Sequence, residues 1–561
     1  MIAPFNLRSW SMLVGCTAIL IALAIWPARK LFADPPLPSF GSSVYNITVA
    51  NSSINGGAAA STASANNAAA IQAYINFVSN LPGGGTVEIP AGIFKSGLLT
   101  MKSNVNLQVD SGATLRDTSV NTTLIKCSSG SNMQISGSGI IDGAATTTTG
   151  SANLVDMRGV NTLAILGVKI ENAGHEHLVP ENDTNVTISG ITIADPGTLT
   201  ANKGAYLSNT DAIDYSGSNF LIKNCNINCG DDDIVAKPAS TACNNITITG
   251  CTIGAGHGIT VGGGTAAGVS NLLVTNCTFN GTTYGLRIKA HDALDPDTTS
   301  DGNNGGGPSH PLQNVIYKNI TMTNVGTPIA IESFYDGGDT FAASPTDPNS
   351  YTYNLTTPAG VNSTTPIYDN IAYENITATG SNFSVRINGL NTSPDSIDGL
   401  SFSNVNISAS KHTELWYAND VDLTGLSVTV PGSDAYANAT PVKGAFLSNL
   451  TNLTAIGPKL LPGDFNRDGQ VTTADISAMM SAMSDLADYQ TANSLSEAQL
   501  DVIADINDDF QINNTDLQAL LSQFATSGGS LVAVPEPAAW MLAAVGQASI
   551  LGWFFRRRLS R

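Results

Sequence analysis

Acidic residues, a histidine and a tyrosine recur at equivalent places in one stretch of the chain, residues 209–289. Four segments there share a pattern in which a small residue, in one case an aspartate, is followed by an aliphatic residue. If these segments are successive coils of a stacked fold, equivalent residues lie ~4.8 Å apart. The residues that would form such a column on the surface are Asp211, Asp232, His257 and Tyr284.

Two further aspartates, Asp231 and Asp233, flank this column. An alignment on three cysteines spaced 26 residues apart pairs Asp231 with His257 instead, so the register is open by one residue. Both registers place the same groups in one patch. The repeated context of the cysteines predicts a stack of buried thiols rather than disulfide bridges. These cysteines are Cys225, Cys251 and Cys277.

The clustered carboxylates predict acid–base chemistry. Like charges repel, so at least one carboxyl group should have a raised pKa and hold a proton near neutral pH. Hydrolysis of a glycosidic bond needs that division, with a protonated acid for the leaving oxygen and a carboxylate to activate water or attack carbon. Next along the chain, period-two alternation places Arg287 and Lys289 together on one strand face. Two such cations suit a substrate that itself carries a carboxylate, such as a uronic acid.

Other interpretations of these residues stay open. The aspartates also fit a solvated turn or a calcium site, and a lone histidine such as His257 is most often structural. His175 and His177 have the residue type of metal ligands, but strand alternation leaves them without an evident third ligand. We therefore favour roles for these two histidines in a substrate cleft or in the structure.

The elements that must position this patch form a repeat. Over residues 132–453, a short β-rich run, a glycine or asparagine and a second β-rich run recur. Each unit is too small to bury its own apolar face, so the units must stack. Alternating strands separated by turn residues predict a parallel β-helix, whereas a β-propeller would need longer repeats. Helical spacing over residues 67–78 predicts a short helix that covers the open end, before a strand over residues 86–90.

Composition and charge narrow the class of protein. The chain has 561 residues and is 42% hydrophobic, enough for a substantial core, and its 54 glycines argue against a mainly helical protein. Lysine and arginine number 24 against 44 aspartate and glutamate residues, a formal net charge of −20. Because phosphate binding needs clustered basic residues, this balance argues against nucleic acid as a partner.

Four ordered strings carry a resemblance to a known family. They are Asn209-Thr-Asp, Gly230-Asp-Asp, Gly256-His-Gly and Arg287-Ile-Lys. In this order they resemble the signature of glycoside hydrolase family 28, the polygalacturonases, and the similarity runs from about residue 84 to residue 453. The resemblance implies an all-β catalytic domain over residues 40–455, folded as a right-handed parallel β-helix. It also implies a reaction that inverts the anomeric centre and needs no cofactor.

The same resemblance implies roles for individual residues. Asp231 would be the general acid, while Asp211 and Asp232 would position and activate water. His257 would tune the protonation of the acid. An aspartate, Asp233, replaces a common cysteine, which leaves the identity of the acid open by one position and removes a partner for a disulfide often seen there. The residues that would bind the substrate are Asn209, Arg287, Lys289 and Tyr335.

Two loops beyond Pro462 have the spacing of calcium-binding loops, and a helical run follows each. Oxygen ligands at positions 1, 3, 5 and 12 are what a hard cation needs. The candidate ligands are Asp464, Asn466, Asp468, Gln470 and Asp475 in the first loop, and Asp505, Asn507, Asp509, Gln511 and Asp516 in the second. Loops that close on aspartate resemble type I dockerins, small α-helical EF-hand-like modules that bind calcium and cohesins. Phe510 replaces the turn glycine, so the second loop is expected to bind calcium weakly. The module would span residues 461–526, and an acidic loop pair without calcium is the alternative.

Both ends of the chain carry targeting patterns. An apolar run between Arg8 and Arg29 predicts a signal peptide over residues 1–33, with a retained membrane anchor as the alternative. Over residues 534–561, a Val-Pro-Glu-Pro string, an apolar stretch and three arginines resemble the bacterial PEP-CTERM sorting signal, a substrate of exosortase-type enzymes. A plain membrane anchor is the alternative there. Both patterns predict an exported protein, secreted or associated with the cell surface or outer membrane of a bacterium.

These observations predict an exported hydrolase that cleaves α-1,4-galacturonosyl bonds of pectin or polygalacturonate. A cohesin-like protein and an exosortase-type enzyme are the further partners expected. Within the family, a rhamnogalacturonan hydrolase or an exo-acting polygalacturonase is the nearest alternative. From other classes, a pectate lyase would need calcium and a base, and a non-catalytic surface adhesin would keep the solenoid without turnover.

Overall fold

The structure is a computed structural model that describes most of the chain between residues 33 and 526. The described ranges are 33–54, 57–62, 66–145, 150–195, 209–290, 304–333, 335, 359–390, 392–411, 413–429, 446–454, 462–468, 470–493, 495, 500, 503–507 and 511–526. All but the last residue of the predicted signal peptide, and all of the predicted sorting signal, lie outside them. Within the described part of the chain, no helix is long and apolar enough to cross a membrane.

A helix covers the first coils, as the spacing predicts. Helix α1 spans Ala68–Ser79 and packs against the first strands of the solenoid. Its buried residues recur three and four positions apart, so they form one apolar face that joins the main core. These residues are Ala70, Ile71, Tyr74, Ile75 and Val78. The predicted strand follows over Gly85–Ile89.

Three parallel sheets form the solenoid, and the chain visits them in turn. Each strand pairs with the strand at the same place in the next coil, and all these pairs are parallel. The first sheet contains Val44–Asn46, Gly85–Ile89, Val105–Val109, Gly130–Gly137, Val160–Leu166, Asp183–Ser189, Gly217–Lys223, Cys243–Thr249 and Val269–Thr275. The second contains Gly92–Ser96, Ala113–Asp117, Ile140–Asp142, Lys169–Glu171, Thr192–Ala194, Asn226–Asn228, Thr252–Ile253, Thr278–Asn280 and Leu426–Thr429.

The third sheet, here called the site sheet, carries the predicted site. It contains Leu99–Thr100, Ile125–Cys127, Val155–Arg158, Leu178–Glu181, Ile213–Tyr215, Ile234–Ala236, Ile259–Val261, Tyr284–Lys289, Thr327–Glu332, Val385–Asn388, Glu414–Asp422 and Phe446–Thr454. Three long strands, Leu312–Thr323, Tyr368–Ser381 and Ile397–Ala409, run through both the first and the second sheet, and Ala359–Gly360 pairs with Thr392–Ser393. This mostly β topology is consistent with a parallel β-helix, while its right hand stays a prediction.

Register within the site sheet decides which residues share a column. The aliphatic residues paired across four successive coils are Ile213, Ile234, Ile259 and Leu286. All four are buried in the core. Counting back two residues from each gives Asp211, Asp232, His257 and Tyr284. The register of the predicted column is therefore confirmed, but Asp211 and Asp232 are buried rather than on the surface.

Left-handed turns separate the first sheet from the second. Asn224, Gly250 and Asn276 occupy the same place in successive coils, with φ values of 54°, 65° and 54°. Glycine and asparagine adopt this conformation at least cost, which explains the recurring residue in the repeat. The cysteine after each turn is buried and free, so the predicted stack of thiols is confirmed.

The C-terminal module has a small core of its own. Helices α2, α3 and α4 span Thr473–Ala482, Leu486–Ala492 and Asn514–Thr526. A capping box begins α2, because Thr472 accepts a backbone hydrogen bond while Asp475 accepts one in return. Helices α2 and α4 are the helical runs predicted after the two loops. The core that they share includes Phe465, Ile476, Met479, Ile503 and Leu520.

Candidate active site

Two carboxylates and an imidazole meet beside the site sheet. The Nδ1 atom of His257 lies 2.9 Å from Oδ1 of Asp231 and 3.8 Å from Oδ1 of Asp232. The backbone N–H groups of Asn209 and Asp232 donate to Asp231 over 2.8 and 2.9 Å. Burial would raise the pKa of Asp231, but the hydrogen bond from His257 and its charge outweigh burial and lower it. Asp231 therefore faces His257 as a carboxylate.

Asp232 is buried against a lysine rather than open to solvent. Lys289 Nζ lies 2.8 Å from its Oδ2 atom, and the Thr260 hydroxyl donates to its Oδ1 atom over 2.9 Å. Burial would raise the pKa of Asp232, but Lys289 and then His257 outweigh burial and hold it well below its ordinary value. Asp232 is therefore ionised, and Lys289 balances its charge within the protein.

The pKa of Asp211 is shifted in the opposite direction from that of Asp232. Asp211 is only 3% exposed, and Lys237 Nζ lies 3.2 Å from its Oδ2 atom and 3.5 Å from Asp214 Oδ2. Burial raises the pKa of Asp211 to about 6, while Lys237 opposes this effect and the charges of Asp232 and Asp231 add to it. At least one carboxyl group of the patch does have a raised pKa, as predicted. Asp211 is one such group, and Asp231 is not.

The third aspartate of the run faces away from the histidine. Asp233 is buried, accepts a hydrogen bond from the Gly258 amide over 2.8 Å, and lies 3.6 Å from the Cys229 thiol. Burial raises its pKa well above the ordinary value, which favours the neutral form of its carboxyl group. Gly256 has a φ of 139°, and a β carbon there would lie 2.4 Å from the Asp233 carboxylate. A glycine is therefore required immediately before His257.

The two predicted cations share one strand face, but they are more enclosed than an open clamp. Arg287 is 6% exposed and Lys289 is 4% exposed. Arg287 donates to Glu332 through Nε and Nη2 over 2.6 and 2.5 Å, and its guanidinium lies 4.0 Å from the centre of the Tyr284 ring. The Tyr335 ring lies 5.3 Å from Arg287 and 4.7 Å from Lys289. An arginine has five N–H donors, so Glu332 leaves three for a ligand.

Sequence reasoning missed three partners of this site. Thr260 and Glu332 pair directly with Arg287 and Lys289 in the register of the site sheet. Lys237 follows the strand Ile234–Ala236 of the same sheet. Each is a polar residue at the end or on the outer face of a strand, so strand alternation combined with the correct register would have found it.

The two upstream histidines do not share a ligand. His177 is fully buried, with Nε2 2.9 Å from Asp195 and Nδ1 3.1 Å from the carbonyl oxygen of Asp211. His175 instead contacts the side chain of Asn153 over 2.9 Å. The structural interpretation of His177 is supported, because it holds the backbone that carries Asp211.

Metal binding is a separate question for this site. Among the described residues, one group of three or more His, Cys, Asp or Glu side chains has all its ligand atoms within 4.8 Å, namely Asp231, Asp232 and His257. Lys289 already balances the charge of Asp232, and His257 already bonds to Asp231. A divalent cation would have to compete with both of these internal partners, which disfavours the calcium interpretation here.

The predicted calcium loops are organised by their last aspartates. Asp475 is buried and accepts the backbone N–H groups of Asn466 and Thr472 over 3.0 and 2.7 Å. Asp516 in the second loop likewise accepts those of Ile506 and Asn513, both over 2.8 Å. Each loop therefore folds around the aspartate at its position 12. The oxygen atoms of the candidate ligands fit a hard cation. Asp509 and Phe510 lie outside the described residues.

Comparisons with known proteins agree with this fold. An exopolygalacturonase from Thermotoga maritima is 18% identical with a TM-score of 0.52, over 71% of this chain and 92% of that one. A family 28 exopolygalacturonase from Yersinia enterocolitica is 17% identical with a TM-score of 0.51, over 74% and 79%. At this identity the likeness concerns the fold alone. No curated protein matches the chain.

Two families match the sequence itself. The PEP-CTERM protein-sorting motif matches residues 533–558, which indicates export in a bacterium. Glycosyl hydrolases family 28 matches residues 83–419, which is more than half of the chain and includes all the residues that surround His257. The solenoid, the ordered motifs and this match lead to one conclusion: the chain belongs to glycosyl hydrolase family 28 and is a glycoside hydrolase.

Proposed function

We propose that the protein hydrolyses α-1,4-galacturonosyl bonds of pectin or polygalacturonate with inversion at the anomeric carbon. The observation that carries the proposal is the contact of Asp231 with His257, beside an ionised Asp232 and two cations. An inverting glycosidase needs one group that gives a proton to the leaving oxygen and another that activates water. Two solved structures with this fold are described as exopolygalacturonases, which supports the substrate class.

Asp231 and His257 together supply the proton in this proposal. The hydrogen bond between them, 2.9 Å long, lets a proton on Nδ1 of His257 pass to Asp231 and on to the glycosidic oxygen. Bound substrate would exclude water from Asp231, and lower polarity favours the neutral form of a carboxyl group. The acid would thus gain its proton only when a sugar chain is in place.

Asp232 and Asp211 activate the water molecule. Lys289 holds the pKa of Asp232 below its ordinary value, so this group is a carboxylate that can orient the water. Asp211 has a pKa of about 6 and must be ionised before it can accept a proton from the water. The catalytic step therefore uses no metal in this proposal, because side-chain cations supply the positive charge.

The substrate carboxylate would bind to Arg287 and Lys289, with Tyr335 and Asn209 as further contacts. Both cations lie beside the Tyr335 ring, so their positions are fixed before a ligand arrives. The net charge of −20 opposes a polyanion at long range, but at physiological ionic strength it is screened beyond about 8 Å. The local cations then decide binding.

The first experiment incubates the full exported chain with polygalacturonate, with and without a chelator. Reducing ends measure hydrolysis, and near-ultraviolet absorbance measures the unsaturated products of a lyase. We expect reducing ends without absorbance, unaffected by the chelator and lost in Asp231→Asn. Asp233→Asn is the matched control, since the Asp233 carboxyl group accepts from the Gly258 amide instead of contacting His257, and this variant should keep the activity.

Other outcomes identify the alternatives. Absorbance that depends on calcium would make the protein a lyase and reject the proposal. Cleavage of rhamnogalacturonan but not of polygalacturonate would keep hydrolysis and change the substrate. Binding of either polymer without cleavage would indicate an adhesin.

We further propose that the C-terminal module binds calcium through the two predicted loops and presents a dockerin-like surface to a cohesin-like protein. The buried Asp475 and Asp516 support this proposal, because each already organises its loop through backbone hydrogen bonds. We also propose processing by an exosortase-type enzyme, which the match to the sorting motif supports. Mass spectrometry of the protein from its native membrane fraction tests that step, since processing would remove the hydrophobic tail.

A further inference from the structure

A buried histidine connects the second sheet with the start of the site sheet. His177 immediately precedes the site-sheet strand Leu178–Glu181. Its Nε2 atom lies 2.9 Å from Oδ1 of Asp195, which follows the strand Thr192–Ala194 of the second sheet. Both side chains are fully buried. Their polar atoms must therefore find hydrogen-bond partners inside the protein.

The imidazole ring of His177 has a hydrogen-bond acceptor at each end. Its Nδ1 atom lies 3.1 Å from the carbonyl oxygen of Asp211, which has no proton to donate. At the other end, Oδ1 of Asp195 accepts the backbone N–H of Asn172 over 2.9 Å in addition to the contact with Nε2. A neutral imidazole carries a proton on one nitrogen only, so one of its two contacts would bring two lone pairs together. A doubly protonated ring donates to both acceptors.

The charge of Asp195 stabilises this second proton. Burial would lower the pKa of His177, but the charge of Asp195 and its hydrogen bond outweigh burial and raise it. A carboxylate at Asp195 also accepts from Asn172 and His177 at the same oxygen, which a carboxylate does readily. The geometry and the charges therefore agree on an imidazolium paired with a carboxylate.

The other titratable groups near this pair do not replace its charges. Asp211 adds to the rise in the pKa of His177, but its own carboxylate pairs with Lys237 over 3.2 Å. Burial raises the pKa of the nearby Cys229 thiol well above its ordinary value, and the charges of Asp211 and Asp195 add to this rise, which favours the neutral thiol. Asp195 is therefore the countercharge of His177.

We infer that His177 is a positioning residue for the water-activating Asp211, and that it acts as an imidazolium held by Asp195. The inference rests on the proposed function, because that function assigns Asp211 to the water molecule. The carbonyl oxygen of Asp211 accepts the backbone N–H of His177 over 2.9 Å as well as the ring N–H. The positive charge of the ring makes the second bond a strong one.

These bonds matter because Asp211 lies outside a strand. It precedes the strand Ile213–Tyr215 by two residues, so its direction depends on the hydrogen bonds of its own peptide groups. On the side of Ala212, the backbone N–H donates to the carbonyl oxygen of Asp232 over 2.9 Å. The ring of His177 fixes the carbonyl group, and the two peptide groups together set where the carboxylate of Asp211 points.

The first test removes the countercharge in the full chain. Asp195→Asn keeps the shape of the side chain, and its oxygen still accepts from Asn172, so the ring must donate from Nε2. An ordinary histidine has a pKa of about 6.5, and burial without a countercharge lowers it, so the ring becomes neutral as pH rises. Nδ1 then faces the Asp211 carbonyl without a proton. We expect kcat on polygalacturonate, relative to the wild type, to fall about tenfold between pH 5 and pH 8. KM should not change, because His177 acts through Asp211.

Asp183→Asn is the matched control for this pH dependence. Asp183 is likewise a buried aspartate, but it accepts the backbone N–H of Val160 instead of the ring of His177. Its kcat relative to the wild type should be constant from pH 5 to pH 8. A constant ratio in Asp195→Asn as well would overturn the inference.

A double variant guards against a loss of folding. His177→Asn with Asp195→Asn removes both charges, and the new amide at residue 177 can donate to the Asp211 carbonyl in place of Nδ1. We expect kcat about three- to fivefold below the wild type at every pH, because a neutral donor replaces a charged one. Thermal melting verifies that each variant is folded. A folded double variant whose relative kcat still falls as pH rises would contradict the role of the ring.

Nitrogen-15 NMR of the full chain with labelled histidine tests the protonation without any substrate. We expect a proton on both ring nitrogens of His177 at pH 8, with these resonances identified by their loss in the double variant. A ring nitrogen of His177 without a proton at pH 8 would overturn the inference even if the protein cleaves polygalacturonate. Two protonated nitrogens in a protein that cleaves no polygalacturonate would keep the buried ion pair and reject its role in hydrolysis.

Discussion

Two acid-rich regions of this molecule handle their negative charge in different ways. Beside the site sheet, Asp232 is paired with Lys289 over 2.8 Å, and Asp211 with Lys237 over 3.2 Å. In the C-terminal module, residues 462–526 contain eleven aspartates and glutamates but one basic residue, Arg467. There the buried Asp475 accepts backbone N–H groups instead of side-chain cations.

This difference shows where each region obtains the positive charge that balances its carboxylates. A buried carboxylate with a lysine partner is balanced inside the fold, and it can act on a substrate without help. Backbone amides orient a carboxylate but carry no net charge, so several such groups together still repel one another. The site is therefore expected to work without a metal, whereas the module is expected to depend on one.

The largest expected effect comes from removing the lysine whose charge balances that of Asp232. Lys289→Met leaves Asp232 buried and unpaired, which should destabilise the β-helix by about 3–5 kcal/mol. Turnover should fall by about a hundredfold or more, because an aligned charge is lost. Thermal unfolding and initial rates on polygalacturonate measure the two effects.

The double variant Lys289→Met with Asp232→Asn is the control for this experiment. It removes the unpaired charge, so stability should return while activity stays lost. If the single variant were as stable as the wild type, the charge balance described for Asp232 would be wrong.

The second prediction concerns calcium, which is the proposed source of positive charge for the C-terminal module. Calcium at a thousandfold excess over its Kd stabilises a folded site by about 4 kcal/mol, and a chelator removes that contribution. We expect calorimetry of the full chain to show a module transition that moves to lower temperature with chelator, and a β-helix transition that does not move. Asp475→Asn should abolish the calcium response of the first loop. A module transition that is indifferent to calcium would reject the calcium proposal.

Much of the fold could be predicted from sequence because its rules are local. The spacing of Ile71, Ile75 and Val78 predicts the helix that covers the solenoid, and the helix observed differs by one residue at each end. The recurring turn at Asn224 and Gly250 predicts the boundary between two sheets, since left-handed residues are recognisable by type. These signals depend on neighbours in the chain, so no knowledge of distant contacts is needed.

The site was less predictable because its electrostatics depend on long-range partners. Period-two alternation places Arg287 on the outer face of its strand, but it cannot show that Glu332, 45 residues later, holds the guanidinium. In the same way, clustering predicts at least one raised pKa in the patch without saying which. Burial raises the pKa of Asp211 and of Asp233, while contact with His257 lowers that of Asp231.

The third prediction uses the pH dependence of the site. Asp211 must be ionised to accept a proton, so kcat should rise with pH through about 6. Lys237→Met removes the nearest cation and should move this acidic limb upward by about one pH unit. The stability effect has the opposite sign: the folded pKa exceeds the unfolded one, so the contribution of Asp211 to stability is lost as pH rises through about 6. Rates measured from pH 4 to 8 check the limb, and an unchanged limb in Lys237→Met would show that another group controls it.

The smallest expected effect comes from removing the neutral hydrogen-bond partner of Asp232 instead of the charged one. Thr260 and Lys289 both donate to Asp232, over 2.9 and 2.8 Å. Thr260→Val keeps the shape and removes only the hydroxyl, so the loss should be about 1 kcal/mol, roughly fivefold in kcat. Because Lys289 still balances the charge, unfolding temperature should change little. If Thr260→Val were instead as damaging as Lys289→Met, hydrogen-bond geometry rather than charge would set the properties of Asp232, and the contrast between the two acid-rich regions would lose its electrostatic basis.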